Sequence, residues 1–168
     1  VIGRACATGA LGLLLVLAGC SSTARVESGT FHSAKGYRVA VPAAGWTVDP
    51  DAAADLQLKR TAGPAAMLVD ASCASRLRDR SLAVLARHLT FGLTDRHTVE
   101  SDTWTVDGRP AAHRVIRGRR GGMEVTVEAV VLKGGRCVHD FLYVARPGQF
   151  EEGRRDFRVL VESFAGDP

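Results

Sequence analysis

The stretch Met123-Glu-Val-Thr-Val-Glu-Ala-Val-Val-Leu132 decides the fold class. It alternates with period two and places Val125, Val127, Ala129 and Val131 on one face, the pattern of a strand and not of a helix. On its C-terminal side Gly134-Gly135 makes a turn, and Cys137 to Ala145 returns as a second strand. On its N-terminal side the Gly/Arg loop Gly118 to Gly122 leads back to a strand over Ala111 to Arg117. Asp107-Gly108, a strong hairpin signal, leads from there to a strand over Val99 to Val106. Four consecutive strands joined by short turns form an antiparallel meander.

Helical patterns flank the meander. Ser81 caps a helix whose Leu82, Leu85, Leu89 and Leu93 fall on one stripe. After Pro147 ends the meander, Phe157, Leu160, Val161 and Phe164 form a second stripe, with Arg154, Arg155, Arg158 and Glu162 largely opposite and Phe150 packing at its start. Upstream, Tyr37 to Val41 alternates and stops at Pro42, and the turn Pro42-Ala-Ala-Gly45-Trp46 sets Trp46 into the core. Leu56 to Lys59 is a short strand, Gly63-Pro64 a turn, Ala65 to Ser72 a more buried strand, and Arg76 to Arg80 a charged connection. The expected class is α+β, with a single antiparallel sheet and helices packed on its faces. The 168 residues are 46% hydrophobic and 24% charged, an ordinary globular balance that suits one domain and excludes disordered or collagen-like chains. The net charge of +4 comes from 19 Arg and 3 Lys, an excess too small and scattered to argue for nucleic acid.

The order Tyr37-x-Val39-x-Val41-Pro42-x-x-Gly45-Trp46, a leucine-striped helix, Asp107-Gly-Arg-Pro-Ala111, a long Val-rich strand, a Gly-Gly hairpin and a helix ending Ser163-Phe164 resembles the PsbP-like α/β sandwich. That group includes the photosystem II extrinsic protein, DcrB-type bacterial lipoproteins and a eukaryotic Ran-binding import factor. The resemblance spans about residues 31–165. It implies an antiparallel sheet covered by helices and an accessory or binding role without a common enzymatic activity. It transfers no metal or Ran site to particular residues.

The first twenty residues read as an address. After Arg4 the run Ala5 to Gly19 is apolar apart from Thr8, shorter than the roughly 20 residues of a membrane span, and reads as a signal peptide. Its end, Leu17-Ala18-Gly19-Cys20 followed by Ser21-Ser22, resembles a bacterial lipobox. Small side chains at Ala18 and Gly19 suit a peptidase that binds extended backbone, and the Cys20 thiol is the nucleophile that takes diacylglycerol. The plainer alternative is a secretory signal with an incidental cysteine. The expected organisation is a signal over 1–19, a lipidated Cys20 and tether over 20–30, and one domain over 31–168. Two or three acyl chains hold such a protein stably where one does not. The membrane is then a partner through the N-terminal lipid, in a bacterial cell envelope, with the domain facing the periplasm. Ser21, in place of an acidic residue, points to the outer membrane in a host that sorts as enteric bacteria do.

Cys6 would leave with the signal, so Cys73 and Cys137 remain in an oxidising compartment, both at strand ends. A disulfide between them is the expected pairing, and it requires the strand ending at Cys73 to neighbour the strand starting at Cys137. The alternative is a Cys137 thiolate served by His139 and Asp140, but Asp140 faces away from the other two, so nothing local orients the base. Of the five histidines, His32, His88, His97, His113 and His139, none has zinc-ligand spacing. His113 and His139 fall on neighbouring-strand candidates, where a two-histidine metal site competes with plain core histidines. No Gly-x-Ser-x-Gly, phosphate loop or dinucleotide fingerprint is present. Gly118 to Gly122 could hold an anion and Arg76, Arg78 and Arg80 could touch lipid phosphates or another protein, solvated surface being the plainer reading of both. These observations predict an accessory or interaction protein with an envelope protein partner, no nucleic acid, no enzymatic activity and no catalytic, cofactor or metal residue. The competing reading is a small-ligand or metal-binding lipoprotein that uses a hollow beside the sheet.

Overall fold

The meander forms as a run of long hairpins. In a computed structural model, which describes residues 24–166, the chain runs β1 (Arg25–Glu27), β2 (Thr30–Ser33), β3 (Tyr37–Ala40), β4 (Trp46–Val48), β5 (Leu56–Arg60), β6 (Ala66–Ser72), α1 (Ser75–Arg78), α2 (Leu82–His88), β7 (Thr94–Val106), β8 (Arg109–Arg120), β9 (Met123–Gly134), β10 (Cys137–Ala145), α3 (Phe150–Glu162) and β11 (Ala165–Gly166). The expected signal segment 1–19 and Cys20 lie outside the described residues. The strands outrun their sequence bounds because their turns are tight. Asp107 and Gly108 have φ of 50° and 70°, and Gly121 and Gly122 have 57° and 81°, the left-handed pairs that two-residue hairpins need. The expected loop over 118–122 therefore shrinks to Gly121-Gly122.

The strands form two sheets, which corrects the expectation of one. Seven pair in the order β4-β5-β6-β10-β9-β8-β7, and the other four in the order β1-β2-β3-β11. The cause lies at the end of β3. Pro42 offers no N–H to continue the ladder, Gly45 turns the chain at φ 78°, and Trp46 restarts it at the edge of the larger sheet. β3 stays with its hairpin partner β2, and its free edge is taken by β11, Ala165 opposite Arg38 and Gly166 opposite Tyr37. The expected tether over 20–30 is also partly sheet, since Arg25–Glu27 pairs with Thr30–His32. The charged connection over 76–80 contains α1. Ser81 caps α2 as expected, its Oγ accepting from the Val84 N–H at 3.4 Å.

The central strands of the large sheet are buried on both faces, while the edge strand β7 is largely exposed. On one face, Met67, Val69, Val130, Leu132, Phe141 and Tyr143 pack with Phe157, Leu160 and Val161 of α3 and with Phe31, Tyr37 and Val39 of the small sheet. On the other, Leu85 and Ala86 of α2 cover Val131 and Val138, and Leu93, beyond the helix, covers Ile116 and Val127. The two-sided burial explains the near-continuous apolar run in β9. Close seating of α3 depends on Gly153, where a Cβ would stand 2.5 Å from the Tyr143 hydroxyl, which donates to the Phe150 carbonyl at 3.0 Å. Trp46 packs at the rim of this core, its indole N–H donating to Asp156 Oδ2 at 2.9 Å. Among the described residues, every buried member of the three apolar clusters lies between Phe31 and Phe164. Among the described residues no helix is long and apolar enough to cross a membrane.

β6 and β10 pair antiparallel with Ser72 opposite Val138, and the disulfide Cys73–Cys137 forms across the next position. The α-carbons are 4.0 Å apart, slightly below the common 4.4–6.8 Å range and near the spacing of directly opposed, non-hydrogen-bonded residues. The bond closes a loop across 64 positions, for which chain entropy gives roughly 4 kcal/mol. Replacing both cysteines by alanine should lower urea-unfolding stability by about that amount with the circular-dichroism spectrum retained; an unchanged midpoint would show that the bond does not staple the sheet.

Candidate functional site

The densest polar chemistry lies on the α3 side of β7–β9. Asp102 on β7 is directly opposite His113 on β8, and Glu128 on β9 is diagonal to it. His113 Nδ1 is 2.6 Å from Asp102 Oδ1 and Nε2 is 2.8 Å from Glu128 Oε1. An ionised carboxylate only accepts, so this geometry on both sides of the ring favours the imidazolium, in which both nitrogens donate. Burial alone would push the His113 pKa down, but the hydrogen bonds and charges of Glu128 and Asp102 outweigh it and hold the pKa above its ordinary value. From α3, Arg154 places Nη2 2.5 Å from Glu100 and Nε 3.3 Å from Glu128 Oε2. Trp104 stacks on the imidazole at 4.0 Å, and the Arg158 guanidinium stands 5.1 Å from the Trp104 ring. The His113 and Glu128 side chains are each 1% exposed. A histidine with both nitrogens engaged by carboxylates has no free position for general-base work. The cluster's evident effect is to fasten α3 to three strands.

The other sequence candidates are dispersed. Cys137 is consumed in the disulfide. His139 is buried between Tyr37 and Phe164, with Nε2 donating to the Gly134 carbonyl at 3.4 Å. Burial, foremost, holds its pKa below the ordinary value, which favours the neutral ring. His113 and His139 share a face but not a site. Both His113 and Phe141 align with Val130, so His113 is level with Phe141, two strands over, and His139 lies two residues further along β10. The proposed pairing on neighbouring strands does not occur. Among the described residues no three His, Cys, Asp or Glu side chains converge on a point that would hold a metal.

Asp140 points to the opposite face, as its parity requires, directly across from Asp70. Burial and the Asp70 charge push its pKa up to about 7. It lines a groove beside Leu77, Leu89, Arg76 and Arg80. Gly118 is a strand residue, whose Cβ would stand 2.9 Å from the Thr94 carbonyl, and the Gly121-Gly122 turn is closed by Arg119 donating to Gly122 O at 2.6 Å. The Asp102–His113–Glu128–Arg154 cluster is what the sequence reading missed. Its signal is Glu128, a charge inside the Val-rich run of β9.

Neither a protein-family model nor a curated protein matches the sequence. Solved structures do match the fold. The solution structure of cyanobacterial PsbP (CyanoP) from Synechocystis sp. PCC 6803 aligns with a TM-score of 0.60 at 16% identity, over 95% of this chain and 98% of that one. LpqN of Mycobacterium tuberculosis, involved in cell envelope biogenesis, aligns at 0.58 and 15% identity over 79% and 83% of the two chains. PA94 of Pseudomonas aeruginosa, a protein of unknown function, aligns at 0.56 and 13% identity over 78% and 92%. These likenesses show that the domain has the PsbP-like fold.

Two pH effects follow. The raised pKa of His113 contributes stability that is fully present below the ordinary histidine value near 6.5 and is lost as pH rises through the raised value. His113→Asn should cost about 3 kcal/mol at pH 6 in urea unfolding and flatten the decline at alkaline pH; a variant with the parent's slope would remove His113 as its source. Asp140, also raised in the fold, destabilises as pH climbs from about 4 through about 7. Asp140→Asn should therefore leave stability at pH 4 nearly unchanged and raise it at pH 8, and a loss at pH 8 would contradict the assignment.

Proposed function

We propose that this chain is a lipid-anchored accessory protein of the bacterial cell envelope that works through contacts of its surface, without enzymatic activity. One observation carries the non-catalytic part. Three of the sequence candidates for nucleophile, acid or base are committed to structural partners, Cys137 to Cys73, both nitrogens of His113 to carboxylates, and His139 to Gly134 inside the aromatic core, while Asp140 lines a groove on the opposite face of the sheet, apart from all three. The fold likeness to LpqN, a protein of cell envelope biogenesis, supports the compartment. So does the disulfide, which suits an oxidising environment.

The anchor rests on Leu17-Ala18-Gly19-Cys20. Because β1 begins at Arg25, an acylated Cys20 would be separated from the sheet by a segment spanning at most about 17 Å. The domain would then sit close against the bilayer, which favours partners that are themselves at the membrane by raising their effective concentration. Ser21 favours the outer membrane under the enteric sorting rule.

Cys20→Ser tests the anchor in a host that processes lipoproteins. The parent protein should appear in the membrane fraction with a diacylglyceryl-modified Cys20 by mass spectrometry. The variant should lose the modification and leave that fraction. A parent protein recovered unmodified would overturn the anchor and leave a plain secretory signal.

A further inference from the structure

We propose that the face carrying α2 docks on an anionic phospholipid surface, with a lipid phosphate held among Arg87, Arg96 and Arg114 and the Phe91 ring set at headgroup level. The three arginines surround a cavity of about 370 Å³ between the end of α2 and strands β7 and β8, and no carboxylate lines it. Among the described residues none of the three has a carboxylate within 4.0 Å, a state they share with most of the described arginines, so it is their convergence on one hollow that sets them apart. Arg114 is aimed by Thr98, to whose hydroxyl Nη2 donates at 2.9 Å, and its Nε–H is buried with no partner. Converging guanidinium groups that lack an internal counter-charge are suited to a phosphate, which they hold through paired, charge-assisted hydrogen bonds.

Phe91 selects a lipid surface over a free anion. It is 65% exposed, the highest value among the large apolar side chains of the described residues. Its ring is held upright at this rim by His88, 5.0 Å away edge-on, and by the Arg96 guanidinium, 5.6 Å away. A dissolved phosphate has no use for this ring, whereas the headgroup boundary of a bilayer takes an aromatic residue flanked by basic ones. Exposed Arg76 and Arg80 line the adjoining groove together with Asp140, and that groove shares His88 with the cavity.

This inference goes beyond the accessory role and stands apart from acylation of Cys20, because the test uses residues 21–168, which lack that cysteine and contain every core residue among the described ones. Vesicles of phosphatidylcholine alone and with phosphatidylglycerol are co-sedimented with this domain. Binding should require phosphatidylglycerol and weaken as salt rises. Arg87→Glu with Arg96→Glu should reduce affinity about tenfold or more, and Phe91→Ala severalfold. The control Arg38→Glu with Arg155→Glu, the same charge change on exposed residues of β3 and α3, should leave it within about twofold. Equal loss in the control would reduce the effect to diffuse charge. Saturation by inorganic phosphate without vesicle binding would assign the cavity to a free anion. Binding to neither would overturn the proposal outright.

Discussion

The pairing of β6 with β10 is the constraint on which the rest of the molecule depends. It joins three strands from the N-terminal half to the four-strand meander, across a chain excursion that contains α1, α2 and β7 to β9. Only with this seam closed do Met67 and Val69 lie beside Phe141 and Tyr143 as one floor for α3 and the small sheet. The register is fixed from both sides. A one-residue slip would send the buried set of either strand to the wrong face, and only the observed alignment sets Cys73 against Cys137. The same alignment places Asp70 against Asp140, a like-charge cross-strand pair that no other interest of the fold requires. Asp140 keeps its proton into the neutral range as a result, so the molecule carries a pH sensitivity that is a by-product of where its disulfide had to be.

The seating of α3 has a different physical basis. Apolar contacts of Phe157, Leu160 and Val161 supply attraction without much direction, since a helix on a sheet can slide or rotate at modest cost. Gly153 narrows the choice by allowing the helix backbone down onto Tyr143. Arg154 narrows it further by reaching Glu128 and Glu100 at once. Burying His113 and Glu128 brings a desolvation penalty that their attraction roughly offsets, so the network adds little net stability over an apolar packing. Its effect is on uniqueness: any displaced helix would leave the buried Glu128 with less positive charge beside it.

Much of this was legible in residues, and the failures have definite causes. The two-residue turn at Asp107-Gly108 fixes the β7–β8 register by counting alone, which sets Asp102 opposite His113. The turn at Gly121-Gly122 likewise sets Val115 opposite Glu128. The buried cluster was therefore derivable, and it was missed because periodicity directs attention to Val125, Val127 and Ala129 and away from the face Glu128 shares. His113 and His139 were placed on adjacent strands because both stand in strands that neighbour β9, but they stand on opposite sides of it. The second sheet had no comparable signal. β1 has three residues and β11 two, too short for any period, and β3 carries the same alternation whichever sheet it joins. Tertiary context alone decides that choice.

The arginines show how composition and placement carry separate information. A total of 19 arginines in a chain of net charge +4 reads as a habit of composition, and as a sum it supports no function. Once folded, the sum divides. On the side of α3 and the small sheet, Arg60 and Arg154 meet carboxylates, as do Lys35 and Lys59, while Arg38, Arg155 and Arg158 are scattered there without one among the described residues. At the end of α2, Arg87, Arg96 and Arg114 gather around one hollow with no such partner, beside an aromatic ring left in water. Exposed pairs are worth little to stability, so pairing on the first side is weak evidence of design for strength. Repulsion among three clustered cations is also weak when solvated, and each would be as well accommodated scattered over the surface. Neither folding nor solubility calls for their convergence around Phe91, and that is the reason to attribute it to something the face meets from outside.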